Sequence, residues 1–141
     1  SSASGCSSGR HLHFEVHQGD SVVDPNNFLS STSFTYSYNS DLYGYYGTIN
    51  PQGSWPWPMN QPIEINQGYG VTGFAKDFYS NKFHQGIDID SGSSSQVKAV
   101  RAGKLYGGSY QCGGRYPGTL LFAKVDNGDG TNVWYLHMIP Q

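Results

Sequence analysis

An alternating stretch near the start of the chain, GRHLHFEVHQGD, most constrains how this protein can fold. Successive side chains of a β-strand point to opposite faces, so a strand here would place three imidazoles and a carboxylate on one face. This pattern predicts a half-buried strand whose polar face either meets solvent or forms a chemical site. The polar set is His11, His13, Glu15 and His17, and the apolar set is Leu12, Phe14 and Val16.

The bulk composition favours strands and turns over helices. The 141 residues suffice for one domain with its own core. Only 13% of them are charged, against a usual ~25%, while 15% are aromatic and 19 are Gly. The net charge of −2 supplies no basic field, so we exclude nucleic acid as a partner. Apolar runs stay well below the ~18 residues of a membrane span, so no transmembrane segment is expected.

Short strand patterns recur at regular intervals after Ile63. They are IEI, GIDID, QVKAV, GKLY, TLLFAKV and NVWYLHM, with Gly-rich turns between them, of which NGDG is typical of a hairpin. A helical period is missing except for a single turn within GFAKDFYSN. We therefore predict an all-β fold of antiparallel sheets.

The composition divides the chain into three parts. Residues 1–30 contain the His-rich strand and a short second strand after a turn at Gly19 and Asp20. Residues 31–57 are rich in Ser, Tyr and Gly without a sustained period, which indicates a linker or a long surface excursion. Residues 58–141 carry the regular strand patterns.

A second concentration of chemistry lies in HQGIDID. His84 precedes Asp88 by four residues, and Gly86 between them lets the backbone bend so that both side chains reach one point. A hydrolytic zinc site usually takes three ligands from His, Asp and Glu and leaves a fourth position for water. Together with His13, these two residues would make such a set.

The remaining histidines differ in their expected roles. His11 and His137, the latter within WYLHM, would flank the open position as general base and as stabiliser of the oxyanion, without a basis for saying which is which. For His17 we expect an exposed strand residue toward the rim. Taken by spacing alone, H-x-H and H-x3-D are weak motifs.

The conjunction of these motifs resembles the lysostaphin-type zinc endopeptidases of bacterial cell walls. The similarity lies in HQGIDI, VKAVRAGKL, VWYLHM and GRHLHFEV followed by VVDPNNFL. It implies a lysostaphin-like peptidase fold of the duplicated hybrid motif type and hydrolysis of peptide bonds in peptidoglycan, by a protein secreted to the bacterial envelope or beyond. It also implies one Zn²⁺ held by His13, His84 and Asp88, with His11 and His137 in catalysis.

Two features depart from the family pattern. Arg10 stands where the family often has Pro, and the H-x-H motif precedes the H-x3-D motif instead of following it. Three explanations account for this order. We favour a fragment cut from tandem peptidase copies, place a circularly permuted domain second and an incomplete chain third. Under the first two explanations the ligands assemble within this chain only if residues 1–30 and 58–141 dock as one sheet system.

The alternative function is a non-catalytic module that binds the cell wall or activates an amidase with the same fold. Every position expected to be functional holds the expected residue type, which argues against that alternative. Cys6 and Cys112 are compatible with one disulfide or with two free thiols. The bond that is cleaved and the oligomeric state stay open.

Overall fold

The structure is a computed structural model that describes residues 11–31, 36–38, 47, 49–60, 63–90, 96–112 and 118–136. Helix in these ranges is limited to α1 (Gly73–Phe78) and a 3₁₀ turn at Pro25–Asn27, and neither they nor anything else described could serve as a membrane-spanning helix. The chain is thus mostly β, as its composition predicted. The strands are β1 (Leu12–Gln18), β2 (Ser21–Val23), β3 (Tyr36–Tyr38), β4 (Ile63–Gln67), β5 (Ile87–Asp90), β6 (Lys104–Cys112), β7 (Gly118–Asp126) and β8 (Thr131–Leu136).

These strands form one sheet in the order β3-β4-β5-β1-β8-β7-β6, and β2 pairs with β1. Neighbours are antiparallel, as predicted, except that β3 and β4 are parallel. A parallel pair needs a long crossover, and the chain between these two strands is long enough to supply one. The prediction of antiparallel sheets therefore holds for most of the sheet.

Strand β1 lies in the middle of this sheet, between β5 and β8. Its register sets His13 opposite Asp88 on one side and opposite Leu136 on the other. A strand from residues 1–30 is thus inserted between two strands from residues 58–141. The docking that the proposed ligand set requires is present.

The apolar half of β1 forms the centre of the core. Leu12, Phe14 and Val16 are fully buried, so the predicted alternation is confirmed, and each contributes about 1.5–3 kcal/mol by burial. The segment that precedes β4 covers this face with aromatic and Met side chains. The core around β1 includes Leu29, Trp57, Met59, Ile63, Ile65, Ile87, Ile89, Val133 and Tyr135.

The predicted hairpin between β7 and β8 is confirmed. Asn127 donates its backbone N–H to the Thr131 carbonyl at 3.1 Å, which closes the turn. Gly128 and Gly130 have φ of 81° and 91°, in the left-handed region that glycine adopts without a Cβ penalty. The NGDG sequence therefore specifies this turn.

At the other end of the β6–β7 pair, Cys112 is disulfide-bonded, while Cys6 lies outside the described residues.

Residues 96–100, predicted to form a strand from QVKAV, do not form one. Their amides find acceptors other than a neighbouring strand. Lys98 donates its N–H to the Pro58 carbonyl at 2.7 Å, and Val100 donates to the hydroxyl oxygen of Tyr135 at 2.9 Å. The apolar alternation of QVKAV thus reflects a loop that buries Val100.

We expect Tyr135→Phe to lower the free energy of unfolding by about 2 kcal/mol, because the buried Val100 amide loses its acceptor. Urea denaturation at pH 7 measures this loss. Burial raises the pKa of Tyr135 to about 12, so its stabilising contribution is present below pH ~10 and is lost as the pH rises toward 12. Tyr106→Phe is the control, since Tyr106 is 43% exposed. A Tyr135→Phe variant as stable as the parent would contradict this account.

Candidate metal centre

Two strands and one loop bring the predicted ligands together. His13 on β1 and Asp88 on β5 are cross-strand partners, so their side chains share a face of the sheet. His84, just before β5, is held by a pair of backbone hydrogen bonds with Gly70, of 2.8 and 2.9 Å. Its imidazole therefore enters the same point from the loop side.

Gly86 is required by space in this loop. A Cβ there would lie 2.4 Å from the Phe14 carbonyl oxygen and 2.9 Å from Nε2 of His13. Only a residue without a side chain lets the chain pass this close to β1. The sequence analysis expected Gly86 to let the backbone bend, whereas the structure requires a glycine there because of the close contact with β1.

Three donor atoms converge at this point. His13 Nδ1 lies 2.8 Å from Asp88 Oδ1, His84 Nε2 lies 3.2 Å from His13 Nδ1, and His84 Nε2 lies 3.3 Å from Asp88 Oδ1. In a tetrahedral zinc site with bonds of ~2.0–2.1 Å, neighbouring ligand atoms are about 3.3 Å apart. Two of these separations match that value, and the hydrogen-bonded third is shorter. The group could hold a metal ion.

The outer nitrogens of both imidazoles are already bonded. His84 Nδ1 donates to the Gly68 carbonyl at 2.8 Å, which leaves the Nε2 lone pair facing the cluster. His13 Nε2 donates to Glu15 Oε1 at 2.8 Å, which directs Nδ1 toward the same point. Bonds of this kind orient metal-binding histidines and fix their tautomers.

The ionisable groups of the cluster shift one another's pKa values. Burial opposes the charged imidazolium of His13, but hydrogen bonds and charges from Asp88 and Glu15 outweigh it and raise its pKa to about 10. Burial also opposes ionisation of Asp88, yet the charges of His84 and His11 and the bond from His13 hold its pKa well below the usual value. A cation and an anion are thus buried together, and a divalent metal would replace the proton that His13 shares with Asp88.

Of the two predicted catalytic histidines, the structure describes only His11. Nε2 of His11 lies 3.7 Å from Asp88 Oδ2, beside the cluster. His137 lies outside the described residues, so its predicted role stays a prediction. The structure thus gathers four of the five predicted site residues, counting His11 with His13, His84 and Asp88.

Sequence reasoning assigned no role to Glu15, although it lies on the same strand face. Its Oε1 accepts from His13, and its Oε2 accepts from His17 Nε2 at 2.7 Å. Burial raises the pKa of Glu15, but these bonds overcome that effect and lower it to about 2. The even spacing in HFEVH was the available signal.

The expectation that His17 is exposed was wrong. Its side chain is 17% exposed, and its ring lies 5.4 Å from that of Trp134 on β8. Burial follows from the sheet, because β8 runs alongside β1 and its Trp covers the imidazole. His17 therefore helps to hold the Glu15 carboxylate in place.

Gln67 is a further site residue that the sequence did not reveal. Its side-chain N–H₂ lies 3.4 Å from Asp88 Oδ2 and 3.2 Å from the Tyr79 hydroxyl, and its carbonyl accepts from Thr72. A register shift between Ile65 and Gln67 turns Gln67 onto the face that Asp88 occupies. Alternation alone would have placed it in the core beside Ile65.

Thr72 ties the only described α-helix to this network. Its hydroxyl accepts from the Ala75 N–H at 2.9 Å and so caps α1, while it donates to Gln67.

Beyond α1, a cleft of about 470 Å³ opens beside the cluster. The cleft is lined by His13, Glu15, Phe78, Tyr79, Ser80, Asn81, Phe83, His84, Gln85 and Leu136.

No protein-family profile, curated protein or solved structure matches this chain.

Proposed function

We propose that this chain is a zinc-dependent endopeptidase of the lysostaphin type that hydrolyses peptide bonds in peptidoglycan, in the bacterial envelope or outside the cell. One observation supports this most directly. Donor atoms of His13, His84 and Asp88, up to 75 residues apart in the chain, come together, and two of their three separations suit a tetrahedral metal. The motif resemblance adds the substrate class and the lysostaphin-like fold.

The donor set favours zinc over other common cations. Calcium and magnesium prefer all-oxygen ligands, whereas two imidazoles and one carboxylate suit zinc. Three protein ligands are also typical of hydrolytic sites, while structural zinc sites usually have four. Two of the three ligands, His13 and His84, line an open cleft, as a catalytic site requires.

Each residue then has a distinct task. A zinc ion bound here would supply the Lewis acidity needed to polarise the scissile carbonyl and activate water. His13, His84 and Asp88 would hold the ion, and Glu15 orients His13. His11 acts on the reacting groups, either as general base or as the group that stabilises the oxyanion.

The motif resemblance assigns the second catalytic role to His137. One of His11 and His137 serves as general base and the other stabilises the oxyanion. The cleft beside His13 and His84 admits the peptide.

The proposal is tested with the purified chain, zinc and isolated peptidoglycan. We expect one zinc ion per chain and the release of new amino groups from the wall. A chelator should stop release, and added zinc should restore it. A wall-binding or amidase-activating module with the same fold would instead bind peptidoglycan and release no amino groups by itself, and that result would contradict the proposal.

Glu15→Ala should weaken zinc binding by about 10–100-fold, because His13 loses the carboxylate that orients its ring. Glu15→Gln keeps one acceptor oxygen and should lose less. Competition against a chromophoric chelator measures both affinities. Asp20→Ala, which removes an exposed carboxylate just beyond the same strand, is the matched control. Equal zinc affinity in Glu15→Ala and the parent would exclude this role.

A further inference from the structure

The sheet face that carries the metal cluster extends across three more strands as a row of paired side chains. Cross-strand partners in an antiparallel sheet share a face. Glu15 is opposite Trp134, Trp134 is opposite Lys124, and Lys124 is opposite Tyr106. This row therefore leads from the metal cluster to the edge strand β6.

A second row runs beside the first and starts at the ligand itself. His13 is opposite Leu136, Leu136 is opposite Phe122, and Phe122 is opposite Gly108. The Phe122 ring lies over Gly108, since a Cβ there would be 2.6 Å from it. Its centroid is also 5.3 Å from that of Trp134.

We call Phe122, Trp134, Lys124 and Tyr106 the aromatic floor. It adjoins the cleft, because Leu136 and Glu15 line the cleft and pair with Phe122 and Trp134.

The aromatic floor carries positive charge at its surface. Nζ of Lys124 lies 5.3 Å from the Trp134 ring and 5.7 Å from the Tyr106 ring, and Nζ of Lys104 lies 5.3 Å from Tyr106. Within the described ranges, neither lysine forms an ion pair with a carboxylate. Contacts with aromatic faces hold an ammonium in place without neutralising it. The aromatic floor is thus complementary to an apolar chain that carries a negative group.

The spacing of strands locates that group along a bound peptide. Lys124 on β7 is two strands away from β1, a distance of about 10 Å at ~4.8 Å per strand, which an extended chain covers with about three residues. We propose that the aromatic floor docks the substrate as an extended peptide, and that Lys124 binds a carboxylate about three residues from the scissile bond. This inference deepens the proposed function and depends on it.

The probe is purified peptidoglycan with free carboxylates, compared with the same material amidated by carbodiimide and ammonia. We expect the parent chain to show a KM about tenfold lower for the free form, as a desolvated charge pair provides. Lys124→Gln should abolish this preference, and Lys124→Arg should restore it. Lys76→Gln is the matched control, because Lys76 is an exposed lysine on α1. Zinc content should stay unchanged in all variants.

A lysine that only covers aromatic rings would not influence substrate choice. A preference that survives Lys124→Gln, or a parent without a preference, would therefore overturn the inference while zinc-dependent hydrolysis stands. Failure of the parent to hydrolyse either material would instead count against the proposed function. Cosedimentation with both forms of the wall would still measure the preference in that case, and its absence would overturn the inference as well.

Discussion

Replacing Asp88 with Ala is expected to abolish zinc retention and peptidoglycan hydrolysis together. The carboxylate contacts both ligand histidines through Oδ1, at 2.8 Å from His13 and 3.3 Å from His84. Its loss removes one of three ligands and also the negative charge that holds the other two. Loss of a supporting residue behind a ligand typically costs 10–100-fold, so loss of a ligand should exceed ~100-fold in zinc affinity.

Zinc content after dialysis and the release of amino groups from walls measure the two losses in one preparation. Asp77→Ala is the control, since Asp77 is an exposed carboxylate on α1. Asp88→Asn, which keeps the side-chain volume, separates loss of the ligand charge from loss of packing. A variant that lyses walls at the parental rate would exclude Asp88 as a ligand.

Replacing His11 with Ala is expected to leave zinc bound and to slow hydrolysis by about 100- to 10,000-fold, the usual contribution of a general base or of a group that stabilises the oxyanion. His11 lies beside the trio, with Nε2 at 3.7 Å from Asp88 Oδ2, and is not part of the metal-binding group. Removal of its ring therefore takes away a catalytic group and spares the ligands.

His17→Ala is the matched control for this variant, because His17 projects from the same face of β1 and contacts Glu15 instead of Asp88. We expect from it a near-parental rate per bound zinc, because any lost support of Glu15 acts through zinc binding. The ratio of rate to bound zinc is the deciding quantity. If His11→Ala loses zinc in proportion to rate, His11 is a ligand and its assignment as a catalytic residue is wrong.

The segments that sequence reasoning described well are those whose signal is local. The alternation in β1 and the NGDG turn each express a backbone preference over a few residues, and both are confirmed. QVKAV has the same local pattern as a strand but forms none, because within the described residues no neighbouring strand accepts its amides. A pairing partner is a property of the whole sheet.

The residues that support the site divide in the same way, into those with a local sequence signal and those without one. Glu15 could have been assigned from its spacing, since residues two apart on a strand share a face. Gln67 could not, because the register shift before it reverses the face that alternation predicts. The half-burial of His17 depends on Trp134, which is distant in sequence and adjacent only across β1 and β8.

By itself the sequence determined a mostly β chain, the face that His13, Glu15 and His17 share on β1, and the chemical types of the candidate ligands. These follow from side-chain chemistry and from the two-residue period of a strand. Only the tertiary structure decided that β1 inserts between β5 and β8, which sets His13 within 2.8 Å of Asp88. Strand order and register arise from the burial of many apolar side chains at once, so no short segment encodes them.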